Sequence, residues 1–213
     1  MRHEDCKNWD YETHPHAKNA EAACSNLIAE LLVSPAVHFA FLSDTRPIHK
    51  LMFESVTPID CPELAGNYRG ALFPCLSTYP IYFGKAPGQH EGEKPINVDA
   101  KMAAFHATLV TALGRHDAAV TAAKKPGERA ALLARLISLV GSVLTNFYDI
   151  HPYANGNGHI GRMIAWVILS KYGHPPKKLT LHKSPPGYYD LFDLFRSNKK
   201  QPLQIFLLKC VLP

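Results

Sequence analysis

The chain has 213 residues, of which 46% are hydrophobic and 19% charged, with a net charge of +5; this describes one globular domain with a sizeable core and excludes a disordered or fibrous protein. The positive charge is scattered, with Lys177-Lys178 and Lys199-Lys200 as short pairs, so no nucleic-acid partner is expected. No apolar run is expected to span a bilayer and the polar start does not read as a secretory signal, so no membrane contact and a cytoplasmic location are expected.

In chain order, residues 1 to about 18 lack periodicity and read as an irregular arm; His14 and His16 there flank a proline and read as surface residues. Ala20 to Val33 is a helix with Leu27, Leu31 and Leu32 turned inward, and Pro47 to Val56 is a short helix opened by proline. Pro62 to Phe73 reads as a turn leading into a strand. Between Pro74 and Pro95, the alternation of Tyr79, Ile81 and Phe83 with Gly84, Pro87, Gly88 and Gly92 predicts a hairpin with an exposed tip. Val98 to Leu113 is a helix with Met102, Phe105, Leu109 and Leu113 on one face, and Ala118 to Lys125 is a separate segment stopped by Pro126 and Gly127. Gly187 to Arg196 and Pro202 to Val211 close the chain as helices. The five cysteines, Cys6, Cys24, Cys61, Cys75 and Cys210, are odd in number and widely spaced, which predicts reduced structural thiols.

The chemistry centres on Thr145 to Ala165. Ahead of it, Glu128 to Ile150 carries apolar residues at Leu132, Leu133, Leu136, Ile137, Val140, Val143, Leu144 and Phe147, the spacing of a helix. Pro152 disfavours helical dihedrals in the residue before it, so the helix should end at Ile150 with His151 extended. His159 to Lys171 resumes as a buried helix, with Gly173 as its stop. Gly156, Asn157 and Gly158 stand just before it. There the unpaired N–H groups and the positive end of the helix dipole meet two glycines that allow close approach, an anion nest suited to phosphate. Arg162, one turn further, can add a fixed charge. A histidine facing such a nest suggests group transfer from a phosphoanhydride, with the imidazole as general base. The plainer alternative is a helix-ending histidine bonded to backbone; a P-loop is excluded, since no G-x-x-x-x-G-K-[ST] occurs.

The run His151-Pro152-Tyr153-Ala154-Asn155-Gly156-Asn157-Gly158-His159-Ile160-Gly161-Arg162 resembles the Fic motif, HxFx(D/E)GNGRxxR, whose bearers typically transfer AMP from ATP to a protein hydroxyl. The segment Gly66-Asn67-Tyr68-Arg69 resembles the G-x-Y-R element that opens the same core. The resemblance implies an all-α, Fic-type helical bundle with a small β-hairpin flap beside the active-site loop, spanning 46–213 after an N-terminal arm and helix at 1–45. It implies His151 as the catalytic base, Gly156, Asn157, Gly158, His159 and Arg162 as phosphate-binding residues, and Tyr153 as the loop's anchor. Ile81, Tyr82 and Phe83 would form the flap that registers a target protein by strand addition. Tyr188 or Tyr189 would wall the adenine pocket, or pack in the core.

ATP as substrate and Mg2+ as its metal are implied in the same way. Two positions depart from the pattern. Asn155 replaces the acidic metal ligand, and a neutral amide oxygen holds a hard cation less well. His159 replaces an arginine, so a phosphate-binding charge would depend on pH, with activity falling as the imidazole loses its proton. A nucleotide- or partner-binding module with weakened catalysis, or transfer of another nucleotide or phosphate-containing group, is the alternative. The inhibitory signature [S/T]-x-x-x-E-[G/N] is missing, and no glutamate follows Glu128. The resemblance therefore implies a separate antitoxin-type inhibitor, or a constitutively active toxin or effector delivered to a target cell.

Overall fold

A computed structural model of the chain describes Cys6 and residues 9–84 and 89–212. Among them, the helices are α1 (Ala17–Val33), α2 (Arg46–Phe53), α3 (Pro95–Ala122), α4 (Pro126–Ile150), α5 (Asn157–Lys171), α6 (Tyr188–Arg196) and α7 (Gln201–Val211). One antiparallel hairpin pairs β1 (Tyr82–Phe83) with β2 (His90–Glu91), Tyr82 opposite Glu91 and Phe83 opposite His90. The result is the all-α bundle with a small hairpin that the sequence predicts; the hairpin tip, 85–88, lies outside the described residues.

α5 is the axis of the bundle because its sequence leaves it no polar face. Ile160, Met163, Ile164, Ala165, Val167, Ile168 and Leu169 are fully buried, which suits a helix surrounded by others. It packs on α4, on α1 and on the 3-10 stretch Pro35–Leu42. Where α4 crosses it, Gly161 is required: a Cβ there would fall 2.3 Å from the Tyr148 hydroxyl and 2.4 Å from its ring. The two helices that carry the motif are thereby drawn together at the site.

α4 begins where Glu128 accepts the N–H groups of Lys124 (2.7 Å) and Lys125 (2.9 Å), with Pro126 in the first turn. Contrary to the sequence expectation, its stretch Gly127–Ile150 is long and apolar enough to cross a membrane by length and composition. Its apolar side, however, is turned to α3, α5 and α7, burying Leu136, Ile137, Val140, Leu144 and Phe147.

Other expectations are corrected. No strand forms between Pro62 and Phe73; a 3-10 turn at Pro62–Leu64 is followed by tight turns, because Arg69 must thread beneath the motif. Val98 to Leu113 and the segment from Ala118 as far as Ala122 belong to one helix, α3, since Gly114 between them meets no neighbour and causes no break. Cys6 is bridged to Cys61 rather than reduced; 55 residues separate them in sequence, and the fold brings them together.

Candidate active site

His151 ends α4 in the left-handed region (φ 51°, ψ 62°) instead of the extended conformation expected before proline. Its N–H still closes the last turn on the Phe147 carbonyl at 3.0 Å, and the left-handed step turns the chain out of the helix. Arg69 holds this exit. Fully buried, it donates Nε to the His151 carbonyl (2.8 Å), Nη1 to Tyr79 O (2.9 Å) and Nη2 to Glu93 O (2.9 Å) and Ile150 O (3.1 Å). Its own N–H donates to Pro152 O at 2.8 Å. Arg69 thus fixes helix exit and flap base through its guanidinium and the motif loop through its backbone N–H, and the Tyr68-Arg69 pair was its only trace in the sequence.

The loop after His151 is braced from below. Tyr153 is fully buried, stacks on His49 (3.8 Å between centroids, 7° between planes) and bonds through its hydroxyl to Thr45 Oγ1 at 2.6 Å. The Gly66 N–H donates to His49 Nδ1 (2.9 Å), so His49 Nε2 carries the proton and donates to the Asn155 carbonyl (3.1 Å). Burial pushes the His49 imidazole down to about 3, keeping it neutral. Asn157 closes the loop on itself: Oδ1 accepts from Tyr153 N–H (2.9 Å) and Nδ2 donates to Tyr153 O (2.8 Å). Its side chain is therefore occupied in bracing the loop.

The nest forms where α5 begins. Gly156 takes φ 77°, and a Cβ there would strike Phe53 at 2.4 Å, so glycine is needed twice over. Among the described residues, the N–H groups of Asn157 and Gly158 have no hydrogen-bond acceptor, the free amides a helix N-terminus offers an anion. A cavity of about 360 Å³ lies over them, reached by His151, Tyr82 and the arm residues Tyr11 and Glu12.

His159 and Arg162 sit differently from expectation. His159 is buried between Tyr11 and Phe53, its Nε2 3.2 Å from the Tyr11 hydroxyl, and burial with the nearby Arg162 charge pushes its pKa down to about 3. It carries no charge near neutral pH, so the expected titration of a phosphate-binding cation is not available to it. Arg162, also buried, spends Nε and Nη2 on the Leu181 carbonyl and points Nη1 at the Tyr189 hydroxyl, 3.4 Å away. Both groups stand over Gly158: a Cβ there would lie 2.2 Å from the Tyr189 hydroxyl and 3.1 Å from Nη1.

Asn155 is committed as well. Its Oδ1 accepts the Gly156 N–H at 2.6 Å and its Nδ2 donates to the Trp9 carbonyl at 3.1 Å. Its oxygen keeps a lone pair but carries no charge, so it would hold a divalent cation more weakly than a carboxylate. The one carboxylate among the described residues lining the cavity is Glu12, from the arm. The arm's contribution had no sequence signal, because residues 9–12 meet the motif only through the fold.

The flap covers the base. Phe83 stacks on the His151 ring (4.6 Å, 13°) and is itself overlain by Arg196 at 5.4 Å. Gly92 allows this closeness, since a Cβ there would lie 3.1 Å from His151 Cβ and 2.6 Å from Ile81. His151 Nδ1 lies 3.3 Å from the Tyr148 carbonyl, which can only accept; the proton is on Nδ1 and the lone pair on Nε2. Burial, with Arg69 and Arg196 adding to it, pushes its pKa down to about 3. On its other side opens an aromatic cavity of about 270 Å³ lined by Phe83, Tyr148, Tyr189, Phe192 and Arg196. Of the two tyrosines at the head of α6, Tyr189 faces this cavity, while Tyr188 is buried with its hydroxyl 3.4 Å from that of Tyr148.

No protein-family model matches the chain, and no curated protein matches it in sequence. Among solved structures, it is similar to the crystal structure of a Fic domain containing signaling protein from Bacteroides thetaiotaomicron. The TM-score is 0.62 and the identity 15%, over 91% of this chain and 68% of that one.

Proposed function

We propose, from the Fic fold that this chain adopts, that it is a protein adenylyltransferase, moving AMP from ATP to a hydroxyl side chain of a target protein as a toxin or effector. The observation that carries this reading is one shared cavity: His151 and the unbonded amides of Asn157 and Gly158 face the same space. The phosphates of ATP would rest on those amides, with the Arg162 guanidinium behind them. The aromatic cavity beside Tyr189 would take the base by stacking.

The target would lie against the flap, paired by main-chain bonds along β1. Its hydroxyl oxygen attacks the α-phosphorus while the proton passes to His151 Nε2. The new P–O bond forms as the bond to the bridging oxygen breaks, and pyrophosphate leaves. A neutral imidazole with Nδ1–H on Tyr148 O is the tautomer this step needs. Phe83 covers a face of the ring and not its edge, so the Nε2 lone pair, in the ring plane, would take the proton with Phe83 in place. Asn155 Oδ1, uncharged and already accepting the Gly156 N–H, would be a weak ligand for Mg2+.

The test is incubation of purified protein with labelled ATP and cell lysate, with and without Mg2+ or Mn2+, followed by mass spectrometry of labelled proteins. An AMP adduct on Ser, Thr or Tyr is expected, reduced by at least about 10²-fold in His151→Ala, as for loss of a general base. Equal labelling by both proteins would leave a binding module with no transferase activity.

A further inference from the structure

The N-terminal arm is fastened at two ends. Toward α1, Trp9 donates its indole N–H to Val56 O (2.9 Å) and offers its carbonyl to Asn155 Nδ2 (3.1 Å). Tyr11 stands against His159, and Tyr11 and Glu12 enter the cavity over the nest. At the start of the arm, Cys6 is bonded to Cys61, on the turn before Pro62. A third sulfur belongs to the same group: Cys75 Sγ lies 3.9 Å from Cys61 Sγ, and all three cysteines are buried. Cys75 retains its thiol.

A thiol this close to one end of a disulfide can exchange with it by attack of the thiolate on the nearer sulfur; the three sulfurs lie within 4.8 Å of one another, so Cys75 must first swing into line with the Cys6–Cys61 bond. We propose that Cys6, Cys61 and Cys75 form a thiol–disulfide relay that latches the arm over the nest. Cys75 loses its proton and its thiolate attacks Cys61 Sγ. A Cys61–Cys75 bond forms, the Cys6–Cys61 bond breaks, and Cys6 leaves as the thiolate and takes up a proton. One disulfide exists before and after, so no outside oxidant or reductant is consumed. What changes is the tether: the new bridge lies wholly within the turns after α2, and the arm loses its anchor to the core.

The chemistry around Cys75 keeps the latch closed at rest. Burial and the neighbouring Glu63 carboxylate push its thiol up to about 11, so the attacking thiolate is scarce until the proton is drawn off. In the latched state, Glu12 brings a negative charge to the cavity that phosphates would enter. Release of the arm removes that charge together with the contacts to Asn155 and His159. This consequence for nucleotide rests on the proposed reading of the nest; the latch itself does not.

Disulfide mapping by mass spectrometry after acid quench, with hydrogen exchange at the amides of Trp9 to Thr13, tests the relay in the full chain. Wild type should show the Cys6–Cys61 bridge, and on mild base treatment a Cys61–Cys75 bridge. Arm exchange should then quicken by at least about tenfold, the mark of a segment freed to open locally. Cys75→Ser should keep the first bridge and a protected arm under the same treatment, and Glu63→Gln should speed the conversion. Cys6→Ser should carry the Cys61–Cys75 bridge from the start, with the arm already open.

The proposal is overturned if no Cys61–Cys75 bridge forms in wild type or in Cys6→Ser, or if arm exchange is the same in both disulfide states. It is also overturned if the protein as purified holds one equivalent of zinc on three reduced thiols. ATP titration of the two forms separates the two readings. Tighter binding in the released form supports both, whereas no binding in either, with the arm still freed, sinks the nucleotide reading and leaves the latch standing.

Discussion

Replacing Asn155 with aspartate restores the acidic residue of the motif that the loop resembles, and the structure predicts what it disrupts. The carboxylate can still accept the Gly156 N–H now held at 2.6 Å, and more strongly because it is charged. It cannot donate to the Trp9 carbonyl, which would face another acceptor at 3.1 Å. Losing a donor to a buried acceptor costs roughly 1–3 kcal/mol, and the partial exposure of Asn155 places the effect near the lower end. About 1 to 1.5 kcal/mol corresponds to a five- to thirteenfold larger open population of the arm. Hydrogen exchange at the amides of Trp9 to Thr13 reads this directly. The loop should hold, because Asn157 and Tyr153 brace it independently, so the urea midpoint should barely move. Arm exchange within twofold of wild type in Asn155→Asp would refute the view that this amide is a clamp.

Gly156→Ala should destabilise by about 2–5 kcal/mol, summing a left-handed penalty of 1–2 with 1–3 for overpacking against Phe53; a thermal midpoint unchanged from wild type would show that the turn can relax. Phe83→Ala should raise the His151 pKa from about 3 toward the ordinary imidazole value, since removing the stacked ring restores water to the charged form. Ring-proton NMR over a pH series checks it, and an unmoved titration would place the burial elsewhere. Acid should weaken the fold. His49, His151 and His159 have folded pKa values of about 3 against an ordinary value of 6.5, so their contribution is whole above that value and is lost as pH falls below it. The slope is about 1.4 kcal/mol per pH unit for each imidazole, and denaturant midpoints that agree between pH 7 and pH 5 would contradict it.

The helices were legible wherever a local signal set both their faces and their ends. α4 shows apolar spacing bounded by Pro126 and Pro152, and α5 starts at the glycines and stops at Gly173. The long-range features were not legible. Arg69 looked like part of a strand because alternation and turn residues are local, whereas its role is to satisfy four carbonyls from three separate segments. The Cys6–Cys61 bridge closes 55 residues, a separation that composition and spacing do not constrain. At His151, the rule for residues before proline excluded the helical region correctly. It pointed wrongly to the extended region, and the helix-ending bond to Phe147 O holds the residue left-handed instead.

The arm also gives a physical meaning to the two departures from the resembled motif. Asn155 and His159 are the loop residues that touch it, one donating to the Trp9 carbonyl and the other set against the Tyr11 hydroxyl. An acid at 155 would have no proton for Trp9 O. An arginine at 159 would bring a permanent charge into a space closed by Phe53 and Tyr11, where burial already holds the imidazole neutral. Both residue types fit the arm as it lies, which predicts coupling. His159→Arg should be costly in the latched protein and much less so once Cys6→Ser has released the arm. A double-mutant cycle on stability would show this as a non-additive term, and strict additivity would mean that residue 159 and the arm do not share the site.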